Sequence, residues 1–163
     1  MTEGLRGGFR SGIRLALDWG QARIGVAACD PGGTLAYPVE AVPAGPNAIG
    51  RILGLIAEYE PIEIIVGLPR SLSGGEGPAA ATVRAQVAEL AGAVRPLPVR
   101  LVDERLTTVT AAQRLREGGR SAKKQRNRID AVAAAGILEH ALDSERHRGL
   151  PPGELLSGPD RLD

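Results

Sequence analysis

Aromatic residues are scarce in this chain: one Trp, one Phe and two Tyr among 163 residues. So few rings exclude the stacking platform on which sequence-tolerant single-strand binders rely. A single cysteine excludes a disulfide-stapled scaffold and a Cys-based zinc cluster. The two histidines, His140 and His147, argue equally against a multi-histidine metal site. No stretch reaches the ~18 continuous apolar residues of a membrane helix. The opening MTEGLRGGFRSG lacks the apolar centre of a secretory signal. A cytoplasmic protein without a membrane partner is expected. The lone Cys29 suits a reducing compartment and reads as a small buried hydrophobe, the alternative being an intermolecular or redox thiol.

What is present describes a soluble globular chain: 43% hydrophobic and 24% charged residues, at a length that supports one domain. The net charge of +1 hides an uneven distribution. Seven basic residues (Arg114, Arg116, Arg120, Lys123, Lys124, Arg126 and Arg128) stand against one acid, Glu117, and include both lysines of the chain. A charge run of this kind is commonly a solvated loop, but it also suits a polyanionic partner, because phosphate contacts carry much of nucleic-acid affinity.

Residues 1–12 hold four glycines and little apolar periodicity, and read as a flexible arm. The Gly- and Pro-rich stretch 148–163 reads as a disordered tail, which leaves 13–147 as the folded domain. Within it, residues 13–18 alternate as a strand, a tight turn leads to a second strand over 23–29, and 34–42 forms a third that Pro38 confines to an edge. A helix opens at Pro46 and stops at Pro61. Residues 62–67 form a buried strand, 79–94 a helix and 99–103 a strand. A helix capped by Thr107 or Thr108 runs to about Glu117, a basic loop spans 119–126, and a last helix runs from Asn127 to about Arg146. Three meandering strands followed by alternating helices and strands predict an α/β fold. Its mixed sheet is antiparallel at one end, parallel at the other, and flanked by helices.

Acids sit at the ends of these elements: Asp18 after the first strand, the pair Asp103 and Glu104 after the last, and Asp130 in the first turn of the final helix. The carboxyl ends of parallel strands line one crevice, so Asp18 and Glu104 are expected to converge there, with Asp130 brought over them. Convergent carboxylates repel unless a cation neutralises them, and oxygen-only ligation selects Mg²⁺ or Mn²⁺. Two such ions ~3.5–4 Å apart support phosphodiester cleavage. Each acid alone also has a plain structural reading, as a helix-dipole partner, a turn residue or a solvated strand end. Gly20 and Gly25 are expected to let a phosphate or metal approach the first turn. Ala131, Ala133, Ala134, Ala135 and Gly136 give the last helix a small surface for close approach to the sheet.

Four segments, in order, resemble the YqgF/RuvX family of ribonuclease H-like nucleases: DWGQARIGVA from Asp18, IVGLP from Ile65, DERLTT from Asp103, and IDAVAAAGIL from Ile129. The resemblance implies a five-stranded mixed sheet with helices on both faces and a metal site of Asp18, Glu104 and Asp130. Asp103 competes with Glu104 for the second position, and the pleat admits only one of the pair. The resemblance also implies a nucleic-acid substrate, either precursor 16S ribosomal RNA or a Holliday junction, the latter admitting a homodimer. Arg23, Arg105, Thr107, Arg120, Lys123, Lys124, Arg126 and Arg128 are the expected substrate contacts. Ala22 stands where the family often has Lys, leaving Arg23 to serve alone, and residues 70–75 depart from the family's loop. Two rivals are weighed. ATP-binding proteins of the actin and sugar-kinase type share the D-x-G turn, but need a second lobe for which the chain has no room. A non-catalytic RNA-binding assembly factor would keep the fold without turnover.

Overall fold

In the computed structural model, which describes residues 8–69, 75–103 and 122–157, the chain enters the sheet through a hairpin. Strand β1 (Arg14–Trp19) pairs antiparallel with β2 (Arg23–Cys29), placing Asp18 opposite Gly25. The turn is closed by the Gly20 N–H donating to the Arg23 carbonyl at 2.9 Å. Strand β3 (Ala36–Pro43) continues the meander at the edge, where Pro38 costs no central ladder bond. Helix α1 (Ala48–Tyr59) crosses to β4 (Glu63–Leu68), and α2 (Pro78–Val94) crosses to β5 (Val99–Asp103). Both new strands run parallel to β1. Helix α3 (Ala122–Arg148) follows, and β6 (Glu154–Ser157) closes the sheet antiparallel to β5. The strand order is β3-β2-β1-β4-β5-β6.

Strand alternation divides the core in two. Leu15, Leu17, Ile24, Val26, Ile64, Val66 and Leu101 face Ile52 and Leu55 of α1 and Val83, Val87 and Leu90 of α2. On the other face Ala16, Ala27, Cys29, Ile65 and Val102 meet Ala134, Ala135, Ile137, Leu138, Ala141 and Leu142 of α3. Alanines on both sides of this second layer bring α3 close to the sheet, as the small-residue run predicts.

The five-stranded mixed sheet with helices on both faces is present, with a sixth strand added. That strand corrects the expectation of a disordered tail: β6 covers β5, an edge whose backbone groups would otherwise seek water or another chain. The arm also differs from expectation over residues 8–12. Arg10 donates from its backbone N–H and Nε to Glu145 Oε2 at 3.0 and 2.9 Å, and from Nη2 to Glu63 Oε2 at 2.8 Å. Arg14 Nη2 reaches Glu145 Oε1 at 3.0 Å, and Arg100 Nε reaches Glu63 Oε1 at 3.0 Å. Glu63, Glu145 and Arg14 are fully buried. Three guanidinium groups around two carboxylates thus tie the arm, the starts of β1 and β4, and the far end of α3 into one ionic cluster. Phe9 completes it, its ring 4.7 Å from the Arg14 guanidinium carbon and 4.5 Å from that of Arg146.

A third correction concerns the basic stretch. Of the loop expected over 119–126, residues 122–126 belong to α3, so Lys123, Lys124 and Arg126 lie on a helix, and residues 119–121 lie outside the described residues. Lys, Arg and Gln are good helix formers, and propensity carries the helix beyond its apolar stripe.

Candidate active site

The carboxyl ends of the parallel strands β1, β4 and β5 meet at one end of the sheet, the end opposite the ionic cluster. Asp18 lies there and shares its sheet face with Ala16, which packs under α3. Residues directly opposite in an antiparallel pair present side chains on the same face. Gly25, opposite Asp18, presents none, and the backbone of α3 occupies the space. A Cβ on Gly25 would fall 1.9 Å from the Asp130 carbonyl oxygen and 3.0 Å from the Ala131 nitrogen. The glycine expected to admit a phosphate or metal instead admits a helix. That helix brings Asp130 over the same strand pair, and the same face, as Asp18.

Asp130 is held from the sheet as well. The Nε of Arg23, first residue of β2, donates to its Oδ2 at 2.6 Å, a charge-assisted contact between two half-buried side chains. Arg23, expected as a substrate contact, is here paired with a carboxylate.

Asp103 pairs in register with Leu68 and has the strand parity of Leu101, which belongs to the α1 and α2 layer. Val102, next to it, packs under α3. Asp103 therefore has the opposite parity to the face on which Asp18 and Asp130 gather. Glu104, Arg105, Thr107 and Arg120 lie outside the described residues. Lys123, Lys124 and Arg126 are placed only by the backbone of α3, and Arg128 is exposed on the same helix.

The donor chemistry fits a hard divalent cation: two carboxylates from β1 and α3 on one face, with neither His nor Cys beside them. Among the described residues no group of three His, Cys, Asp or Glu assembles a complete cation site. The sequence reading named both acids but missed the packing role of Gly25. Its signal was a glycine inside a strand that must lie beneath an alanine-rich helix.

Comparison with known proteins follows the same residues. A family model, RuvX, described as Holliday junction resolvase, matches residues 12–144. A relative from Streptomyces coelicolor is 63% identical over 148 residues, covering 90% of this chain and 89% of the relative. One from Thermobifida fusca is 53% identical over 157 residues, covering 92% and 99%. Both carry the name "Putative pre-16S rRNA nuclease". Among solved structures, Thermus thermophilus RuvC is similar at 19% identity and a TM-score of 0.49, covering 85% of this chain and 99% of that one. The same organism's RuvC in complex with a Holliday junction substrate gives 20% and 0.45, covering 86% and 99%.

Proposed function

The chain belongs to the RuvX family, and from that premise we propose that it is a Mg²⁺-dependent phosphodiesterase that trims the 5′ end of precursor 16S ribosomal RNA, with Mn²⁺ as a competent substitute. The observation that carries the reading is the gathering of Asp18 and Asp130 on one sheet face, made by the absence of a side chain at Gly25. Asp18 and Asp130 would hold the ions together with Glu104. The parity of Asp103 with Leu101 supports Glu104 as the second acid. Divalent ions at such a carboxylate set activate water and stabilise the leaving oxygen.

The remaining work falls to this chain's own groups. Arg23 fixes the Asp130 carboxylate and balances its charge before any ion arrives. A guanidinium has five N–H donors, so Arg23 can keep that bond and also receive a phosphate oxygen. Arg105, Thr107, Arg120, Lys123, Lys124, Arg126 and Arg128 would follow the nucleic-acid backbone, which makes affinity fall steeply with salt. Cleavage would leave a 5′-phosphate and a 3′-hydroxyl. Among the described residues no helix is long and apolar enough to cross a membrane, and the site of action on precursor ribosomal RNA is the cytoplasm.

The family description favours a second reading, resolution of four-way DNA junctions. Symmetric cutting of two strands calls for a two-fold dimer. The test presents a 5′-extended precursor ribosomal RNA and a four-way DNA junction side by side, with Mg²⁺, to the native protein and to Asp18→Asn. Cleavage of the RNA alone, lost in the variant, supports the first reading. Cleavage of the junction by a dimer supports the second. Binding without cleavage of either defeats both in favour of an assembly factor.

A further inference from the structure

Asp18 and its neighbour Trp19 point to opposite faces of the sheet, and the face that receives Trp19 holds a cavity of about 490 Å³. Trp19 and Gln21 of the hairpin line one side of it, Pro69 after β4 lines the floor, and Thr82, Val83 and Gln86 of α2 line the other side. Trp19 is half-buried against the α1 and α2 core, so its ring is braced and not swinging in solvent. Among the described residues none of those lining it is charged. The described lining suits a flat heterocycle, which needs apolar faces and a few polar groups at its edge. Trp19, Pro69 and Val83 supply apolar surface, and Gln21, Thr82 and Gln86 supply amide and hydroxyl groups at the rim. The Thr82 hydroxyl donates to the Pro78 carbonyl at 3.1 Å, which leaves its oxygen as an acceptor toward the cavity.

We infer that this cavity receives an unpaired nucleobase of the substrate strand, stacked on Trp19, while the adjoining phosphate lies at Asp18. The inference rests on the nuclease reading and deepens it. A nucleotide carries a charged group and a flat uncharged group a short reach apart. The end of β1 offers a carboxylate face and an aromatic pocket at consecutive residues, on either side of one backbone. A duplex cannot fill the pocket without losing a base pair, so the cavity selects strands that are single or frayed beside the cut. It also adds a contact that no fully paired substrate can make.

Trp19 is the only tryptophan of the chain, so its fluorescence reports occupancy of the cavity directly. The probe is a short adenylate oligoribonucleotide, alongside the same oligomer carrying abasic positions, titrated with Ca²⁺ in place of Mg²⁺, so that a divalent ion can hold the phosphate beside Asp18 while turnover is suppressed. Stacking predicts quenching by the base-bearing oligomer and none by the abasic one. Thr82→Phe places a ring into the cavity from an exposed position on α2, and its thermal unfolding checks that the fold is kept. It is expected to lose the quenching and to weaken binding roughly fivefold or more, the lower end of what one stacked base contributes. Asp18→Asn is expected to lose cleavage while keeping the quenching. Equal quenching by both oligomers, or unchanged quenching in a folded Thr82→Phe, overturns the pocket. Because cleavage is read separately, a protein that cuts without base-dependent quenching refutes the pocket alone. One that quenches without cutting upholds the pocket and refutes the nuclease reading. Quenching by an apolar peptide but by no oligonucleotide overturns the inference in favour of a protein ligand.

Discussion

The carbonyl of Asp130 lies where a side chain on Gly25 would begin, 1.9 Å from the position of its Cβ. The obstruction is backbone and not the end of a flexible side chain, so a methyl group there must lift the start of α3 from the sheet. Gly25→Ala is expected to destabilise the fold by about 3 kcal/mol, the upper part of the range for overpacking, and to abolish cleavage by moving Asp130 away from Asp18. Urea unfolding and a cleavage assay check the two effects together. A variant with native stability and native turnover would show that α3 does not depend on this contact.

The Arg23–Asp130 contact lets the proposed ligand be told apart from the group proposed to orient it. Asp130→Asn keeps shape but removes charge, and is expected to abolish cleavage while leaving nucleic-acid binding intact. Arg23→Lys keeps charge but cannot reproduce the Nε contact at 2.6 Å. It is expected to lower turnover roughly 10–100-fold, the usual cost of losing a group that orients a metal ligand. Cleavage rates measured across a Mg²⁺ titration, with filter binding at fixed salt, distinguish the two roles.

The sheet was readable from sequence wherever the alternation was local. Strand β2 and strand β5 occupy the predicted 23–29 and 99–103, and β1 is displaced by a single residue. What escaped depends on partners far along the chain. Residues 154–157 are a strand because β5 would otherwise have an open edge; Glu-Leu-Leu-Ser between Pro152-Gly153 and Gly158-Pro159 carries no alternation of its own. Arg10 is fixed by Glu63 and Glu145, 53 and 135 positions away, which no window over a Gly-rich arm can register. At the site, the acids were legible as residues at the ends of elements. The contact between Arg23 and Asp130, 107 positions apart, was not.

The ionic cluster predicts a sensitivity to acid. Burial alone would raise the Glu145 carboxyl, but the side-chain and backbone N–H groups of Arg10 and the charge of Arg14 outweigh it, so its pKa lies below the ordinary 4.5. A depressed carboxyl contributes stability that is full above its unfolded pKa and is lost as pH falls through the folded one. Glu145→Gln leaves Arg10 and Arg14 without their shared partner, and is expected to cost about 3–5 kcal/mol near neutral pH. The gap between variant and wild type should close below about pH 4.5. Denaturant midpoints taken from pH 7 to pH 3 measure it, and a gap that stays constant with pH contradicts the assignment.

Cys29 is fully buried, and its sulfur accepts the Arg14 backbone N–H at 3.4 Å. Burial is the main reason its thiol pKa is raised. It is therefore a core residue, and the alternative of an intermolecular disulfide does not fit. A thiol reagent is expected to leave the native protein unmodified and to titrate one thiol per chain in denaturant. Reaction under native conditions, or a linked dimer on a non-reducing gel, contradicts this placement.

The two margins of the sheet constrain how copies of this molecule can meet. One margin is interrupted by Pro38, and the other is described over Glu154–Ser157. Among the described residues neither offers a long run of unsatisfied amides and carbonyls to a neighbour, which discourages ribbon-like extension from molecule to molecule. A two-fold association that places a pair of cutting centres on one branched substrate would then draw on side chains, where partner choice is set by shape and charge.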